Sequence, residues 1–138
     1  MKAKDLMIGA SVNYRGQIIN VTSLYDKGGS NEVGWSNKER VWVNADNVEP
    51  IPLTPEILEK NGFVANKRVY PYPYYEYTNE EDKLKVGFTF PHGNRTSYKD
   101  PWVYIDSENV FVEHLPCVFV HQLQHAFRLC GIEKEIVI

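Results

Sequence analysis

The fold of the amino-terminal part is decided by one stretch, Val41-Trp42-Val43-Asn44-Ala45-Asp46-Asn47-Val48-Glu49-Pro50-Ile51. Side chains alternate between the two faces of a strand, so Val41 and Val43 share one face and Trp42 projects from the other. Residues 44–47 are turn formers that interrupt the strand, and residues 48–51 resume as a short final strand. The stretch therefore predicts strand, turn and strand, with Trp42 turned away from the valine face.

Further short strands are predicted on the amino-terminal side of this stretch. Apolar residues stand at even spacing within residues 8–14, and residues 17–25 are rich in β-branched and aromatic side chains. The composition of residues 26–31 predicts a loop, and residues 33–35 predict a third strand. Five short strands at such intervals are typical of a small barrel or sandwich.

The same residues carry a resemblance to a known family. Residues 41–51 resemble the end of an SH3-like barrel, in which a single 3₁₀ turn separates the last two strands, and Ile8-Gly9, Val12 and Gly16 resemble the opening of SH3-like and KOW-type barrels. The resemblance implies a five-stranded SH3-like barrel over residues 1–52. Because Ala45 and Val48 stand where proline-binding SH3 domains have Pro and Tyr, it does not imply a polyproline ligand.

A compact helix signal follows at residues 54–63. Thr54-Pro55 supplies an N-cap and a first helical residue, and Gly62 suits the left-handed position after the helix end. Phe63 would then contact Leu58, as in a Schellman motif. We predict that this helix opens a second, α+β domain over residues 53–138, made of the short helix, an antiparallel sheet and a carboxy-terminal helix.

The sheet of the second domain is predicted from two hairpins. Residues 83–90 alternate between apolar and polar side chains and would pair with residues 74–78, and residues 102–105 would pair with residues 110–112. Proline cannot donate to a ladder, so Pro71 and Pro73 place the start of their strand at a sheet edge.

A final helix is predicted from Cys117 to Cys130. At about 100° per residue its apolar side chains fall on one side, whereas His121 and His125 fall on the other, which we expect to face water or a partner. The spacing of two histidines four residues apart is that of two metal ligands on a helix. A third ligand would have to come from His114, Cys117 or a distant acid, so His121 and His125 are weak metal candidates and no cofactor is predicted.

No catalytic group is predicted elsewhere. A Cys117–His121 nucleophile pair is conceivable, but no oxyanion or acid partner is recognisable. A disulfide between Cys117 and Cys130 is excluded if the helix forms, because thirteen helical residues separate them by about 20 Å.

A second resemblance covers parts of both domains. Residues 51–63 and Val120-His121-Gln122-Leu123-Gln124 resemble recurrent strings in uncharacterised small proteins of gut anaerobic bacteria and of their phages or mobile elements. This resemblance implies relatedness but no activity and no functional residue.

Composition excludes several classes of protein. The net charge of −3 with no basic stripe disfavours nucleic-acid binding, which depends on phosphate neutralisation. No apolar run approaches the roughly 20 residues that span a bilayer, and no secretory signal is recognisable at the start. Two cysteines form no disulfide scaffold, so we expect the cytoplasm as the location.

Aromatic residues are the best functional candidates. They make up 13% of the chain, and Tyr70, Tyr72 and Tyr74 alternate with prolines, so one core cannot bury every ring. Together with Trp42 they are the predicted binding residues, since exposed aromatic patches often mark binding surfaces. The alternative is that the rings cover the interface between the two domains.

The sequence thus predicts a non-enzymatic binding or adaptor protein whose partner is another protein. Two alternatives remain open. Small barrels often bind single-stranded nucleic acid by stacking bases on aromatic rings. The third candidate is a metal-dependent enzyme that uses His121 and His125.

Overall fold

A computed structural model describes residues 1–28, 30–35, 41–68, 74–88, 102–116 and 119–138. The protein is mixed α+β, with eleven short strands and two α-helices among these residues. Two compact units are present, Met1–Pro52 with Phe119–His125 and Leu53–Val118 with Ala126–Ile138.

The first unit contains two three-stranded antiparallel sheets. One has the order β2-β1-β6, formed by β1 (Ser11–Tyr14), β2 (Gln17–Asn20) and β6 (Glu49–Pro50), and the other has the order β3-β4-β5, formed by β3 (Ser23–Lys27), β4 (Ser30–Gly34) and β5 (Trp42–Asn44). The predicted 3₁₀ turn is present at Ala45–Asn47, where the Asn44 side chain accepts a hydrogen bond from the Asp46 amide.

The predicted single strand over residues 17–25 is instead two strands. At the break, the Val21 amide donates to the Ala10 carbonyl, whereas the Thr22 amide donates to the Gly34 carbonyl. The chain therefore leaves one sheet and enters the other, and in the described part of the chain neither sheet closes into a barrel. Both sheets nevertheless share one buried core, which includes Val12, Ile19 and Val33.

The predicted loop at residues 26–31 was wrong. Strand pairing continues to the very end of the hairpin, where Lys27 faces Ser30. Gly28, with a φ of 62°, adopts the left-handed conformation that a tight turn needs, so polar composition misled the prediction.

The second unit holds a five-stranded antiparallel sheet of order β11-β10-β9-β8-β7. The strands are, in chain order, β7 (Val64–Arg68), β8 (Tyr74–Asn79), β9 (Leu84–Phe88), β10 (Trp102–Asp106) and β11 (Phe111–Pro116). Both predicted hairpins are confirmed. Pro71 and Pro73 lie outside the described residues, and from Tyr74 onward β8 is an inner strand because β7 pairs with it.

The short helix α1 (Pro55–Lys60) is capped at both ends as predicted. The Thr54 hydroxyl accepts a hydrogen bond from the Ile57 amide. At the other end the Phe63 amide donates to the Leu58 carbonyl, and Gly62 has a φ of 83°. These are the bonds of a Schellman motif, and Leu58 and Phe63 are both buried.

The final helix α2 spans Val120–Leu129 and begins three residues later than predicted. Before it, Phe119 forms a bridge with Pro52, and the Gln122 side chain accepts a hydrogen bond from the Phe119 amide. Strand-like pairing thus holds Phe119 outside the helix, and Gln122 caps the helix from its third position. Gly131, with a φ of 70°, ends it as predicted.

Candidate binding surface

The sheet β3-β4-β5 presents one face to the buried core and the opposite face outward. Leu24, Val33 and Val43 pair across the strands on the core face. The alternating residues form two rows on the outer face, Ser23–Gly34–Trp42 and Tyr25–Glu32–Asn44. This outer face is the candidate binding surface.

Two aromatic side chains dominate the candidate binding surface. Trp42 is 38% exposed and Tyr25 is 44% exposed, values that are high for rings of this size. Their ring centroids lie 6.5 Å apart, and the ring planes meet at 76°. The two rings therefore support each other edge to face while both remain accessible.

Gly34 lies next to the indole of Trp42. A Cβ atom built on Gly34 would lie 3.5 Å from Cδ2 of Trp42 and 3.3 Å from Cβ of Ser23. The Trp42 ring thus lies beside the bare backbone of Gly34.

Glu32 is the acidic residue of the candidate binding surface. It lies opposite Tyr25 in the strand register and is half-buried. Within the described ranges its carboxylate makes no hydrogen bond and no ion pair. Its carboxylate therefore lies beside two exposed rings with no bonding partner among the described residues, where water or a ligand can reach it.

A second aromatic pair in the first unit has a structural role. Tyr14 and Trp35 lie 5.1 Å apart and pack against the core, and the Arg15 guanidinium lies 5.2 Å from the Tyr14 ring centroid. Both rings are half-buried and the Tyr14 ring already has a cation, so they are poorer candidates for binding than Tyr25 and Trp42.

The structure locates one of the four predicted aromatic residues. Trp42 projects outward, as the strand alternation predicted, and Tyr25, which the sequence analysis did not select, lies beside it. Tyr70 and Tyr72 lie outside the described residues, and so does the side chain of Tyr74. Pairing Tyr25 with Trp42 required the register of three strands, which alternation within one strand does not supply.

The expectation that both histidines lie on an exposed side was wrong. His121 is only 5% exposed. Its ring stacks on that of Phe119, with the centroids 5.8 Å apart, and its centroid lies 5.7 Å from that of His125. Burial, reinforced by the charge of His125 and opposed by that of Asp5, lowers the pKa of His121 to about 4. The phase of an isolated helix identifies its most apolar side but not how much of its circumference is covered.

The described residues do not group three metal-ligating side chains. Cys117 and the side chain of His114, the two nearby candidates for a third ligand, lie outside the described part of the chain. Nδ1 of His121 is buried without a hydrogen bond from the described residues, and with its pKa lowered to about 4 this histidine is neutral near neutral pH. Cys130 is a half-buried free thiol.

A polar cluster that the sequence did not reveal lies on the five-stranded sheet. Glu76 is 8% exposed, and its carboxylate accepts hydrogen bonds from the Tyr104 hydroxyl at 2.6 Å and from the Arg68 guanidinium at 3.0 Å. Burial alone would raise the pKa of Glu76, but these two donors outweigh it and hold the pKa below 4.5. Both oxygens of the Glu76 carboxylate are thus hydrogen-bonded within the cluster, which stabilises the sheet.

Comparison with known proteins gives no match to a family model, to a curated protein or to a solved structure. Among the residues described here, the helices are all too short or too polar to cross a membrane.

Proposed function

We propose that the protein is a non-enzymatic binding protein that holds a segment of another protein against the candidate binding surface. The observation that carries this proposal is the Tyr25–Trp42 pair, two large rings exposed side by side on a sheet face that is turned away from the core. Such aromatic residues contribute most of the binding energy in protein interfaces because they bury large areas at small entropic cost.

The architecture of the first unit supports an SH3-like assignment as part of this proposal. Two three-stranded sheets share one core, and a 3₁₀ turn precedes the last strand. Ala45 and Val48, at the positions of the proline-binding aromatic shelf, are buried. We therefore place the partner on the outer face of β3-β4-β5, which is turned away from the core that buries Ala45 and Val48. A cytoplasmic location and relatedness to the gut-anaerobe and mobile-element proteins belong to the same proposal.

A protein partner fits the charge of the candidate binding surface better than a nucleic acid does. Glu32 lies between the strands that carry the two rings, and the whole chain has a net charge of −3. Phosphates bind where basic side chains replace counterions, and a carboxylate beside the rings would repel them.

Selection from a random peptide library tests the proposal. We expect the intact protein to enrich a set of peptides that lose about 2 kcal/mol, or roughly thirtyfold in affinity, with Trp42→Ala. Phe111→Ala is the matched control, because Phe111 is an aromatic residue of the second unit that is 59% exposed.

Two outcomes would refute the proposal. One is a set of peptides that bind Trp42→Ala as tightly as the intact protein, or no enrichment at all. The other is tight binding of a fluorescent single-stranded oligonucleotide that depends on Trp42 and weakens steeply with salt, which would establish nucleic-acid binding instead.

A further inference from the structure

Three groups of complementary chemistry are adjacent on the candidate binding surface. Tyr25 and Glu32 are cross-strand partners, and such partners have Cβ atoms about 5 Å apart. Trp42 pairs with Gly34, two residues after Glu32, so the indole is a diagonal neighbour of the carboxylate. Two ring faces and one carboxylate thus line the same patch.

All three groups attract a positive charge. The face of an aromatic ring carries negative potential, and rings that meet at 76° form a corner with two such faces. The carboxylate of Glu32 adds a full negative charge at the edge of this corner. A cationic side chain is therefore the complementary group for this patch.

The protein does not supply this cation from its described residues. Its two described cation–ring contacts involve Arg15 on Tyr14 and Lys134 on Phe63. The three described ion pairs use other acids, namely Glu76, Glu108 and Asp82. Among the described residues no cation neutralises Glu32, so its half-exposed carboxylate is open to a cationic group of a partner.

We infer that the bound protein segment inserts an arginine side chain into this corner, with its guanidinium against the Tyr25 and Trp42 rings and hydrogen-bonded to Glu32. This inference rests on the proposed function and specifies its partner. Arginine fits better than lysine because its planar guanidinium both stacks on aromatic faces and bonds a carboxylate through two parallel N–H groups.

Titration of the protein with N-acetyl-arginine amide, followed by two-dimensional NMR, tests the inference directly. We expect saturable shifts of the Trp42 indole N–H and of the Tyr25 and Glu32 amides. N-acetyl-citrulline amide has nearly the same shape without the charge and should leave these signals unchanged. Glu32→Gln should weaken arginine binding about tenfold, as loss of a charge-assisted pair does. Glu49→Gln, a change of an exposed glutamate on β6, should leave binding intact.

The selected peptides separate failure of this inference from failure of the proposed function. If binding of the selected peptides depends on Trp42, and they share an arginine whose replacement by citrulline abolishes binding, the protein-binding proposal and the arginine inference both stand. If they depend on Trp42 but share no arginine, the protein-binding proposal stands and the arginine inference is wrong. Arginine and citrulline probes that shift the same signals equally, or an arginine probe that shifts none, would also overturn the inference.

Discussion

The sheet β3-β4-β5 of the first unit and the five-stranded sheet of the second unit each carry a glycine, an aromatic ring and a glutamate on one face, and the side chains interact differently in the two sheets. On β4 of the first unit, Gly34 adjoins the Trp42 ring and Glu32 lies two residues away. On β9 of the second unit, Gly87 lies between Glu76 and Tyr104 in the register. Both sites thus combine a glycine, an aromatic ring and a glutamate on neighbouring strands.

In the second unit the ring and the carboxylate are hydrogen-bonded to each other, and the ring lies against the glycine. Tyr104 lies flat across Gly87 and donates to Glu76, and both side chains are 8% exposed. In the first unit the Trp42 ring is 38% exposed, and the nearby carboxylate is without a hydrogen bond among the described residues. The same three residue types thus form a closed, hydrogen-bonded cluster in the second unit and an exposed one in the first, where the proposed function places a ligand.

The largest effect is expected from Gly87→Ala. A Cβ on Gly87 would lie 1.8 Å from Cε1 of Tyr104, so the ring must leave its place and its bond to Glu76 is lost. We expect a loss of about 3 to 4 kcal/mol in the free energy of unfolding, measured by urea denaturation. Gly34→Ala, whose Cβ meets its neighbours at 3.3 to 3.5 Å, should cost less than about 1 kcal/mol. Equal losses would show that the two glycines do not differ as described.

Protonation of His121 should lower the free energy of unfolding at a higher pH than protonation of Glu76 does. The pKa of His121 falls from 6.5 in the unfolded chain to about 4 in the fold, so the unfolded state takes up a proton first. Stability is full above pH 6.5 and should decline by about 2 to 3 kcal/mol as the pH falls to about 4. Denaturation of the His121→Leu variant across this range should lack the decline, whereas an unchanged decline would assign it to another group.

At more acidic pH, protonation of Glu76 should cause a further loss of stability. Its pKa is lowered in the fold, so its contribution is present above pH 4.5 and is lost as the pH falls through the folded value. At neutral pH we expect Glu76→Gln to cost about 1 to 2 kcal/mol, since two charge-assisted bonds are weakened. Glu32→Gln, on the candidate binding surface, should change the free energy of unfolding by less than about 0.5 kcal/mol. A loss from Glu32→Gln as large as that from Glu76→Gln would contradict the comparison.

Local chemistry made parts of the fold predictable from the sequence. The caps of α1 were foreseen residue by residue, because Thr54 and Gly62 bond to backbone groups only a few positions away. The two hairpins of the large sheet followed from alternation and turn residues in the same way. Such signals need no knowledge of the rest of the molecule.

The missed features depend on contacts between distant residues. Four of the five residues of β7 are exposed, so this strand has no apolar alternation to reveal it, and its pairing with β8 defines it. The burial of His121 depends on what packs around α2, and the Glu76–Tyr104 bond joins residues 28 positions apart. Of the candidate binding surface, the sequence revealed Trp42 but not its neighbours, because they lie on other strands.

One side chain connects the beginning and the end of the second unit. The Asn61 amide group donates to the Val137 carbonyl and accepts from the Val137 amide, both at 2.7 Å, as a neighbouring strand would. These residues are 76 positions apart, so the pair forms only after the ends of a long loop meet. The Val137 amide is consequently a natural reporter for hydrogen–deuterium exchange, because its proton is released only when this long-range closure is undone.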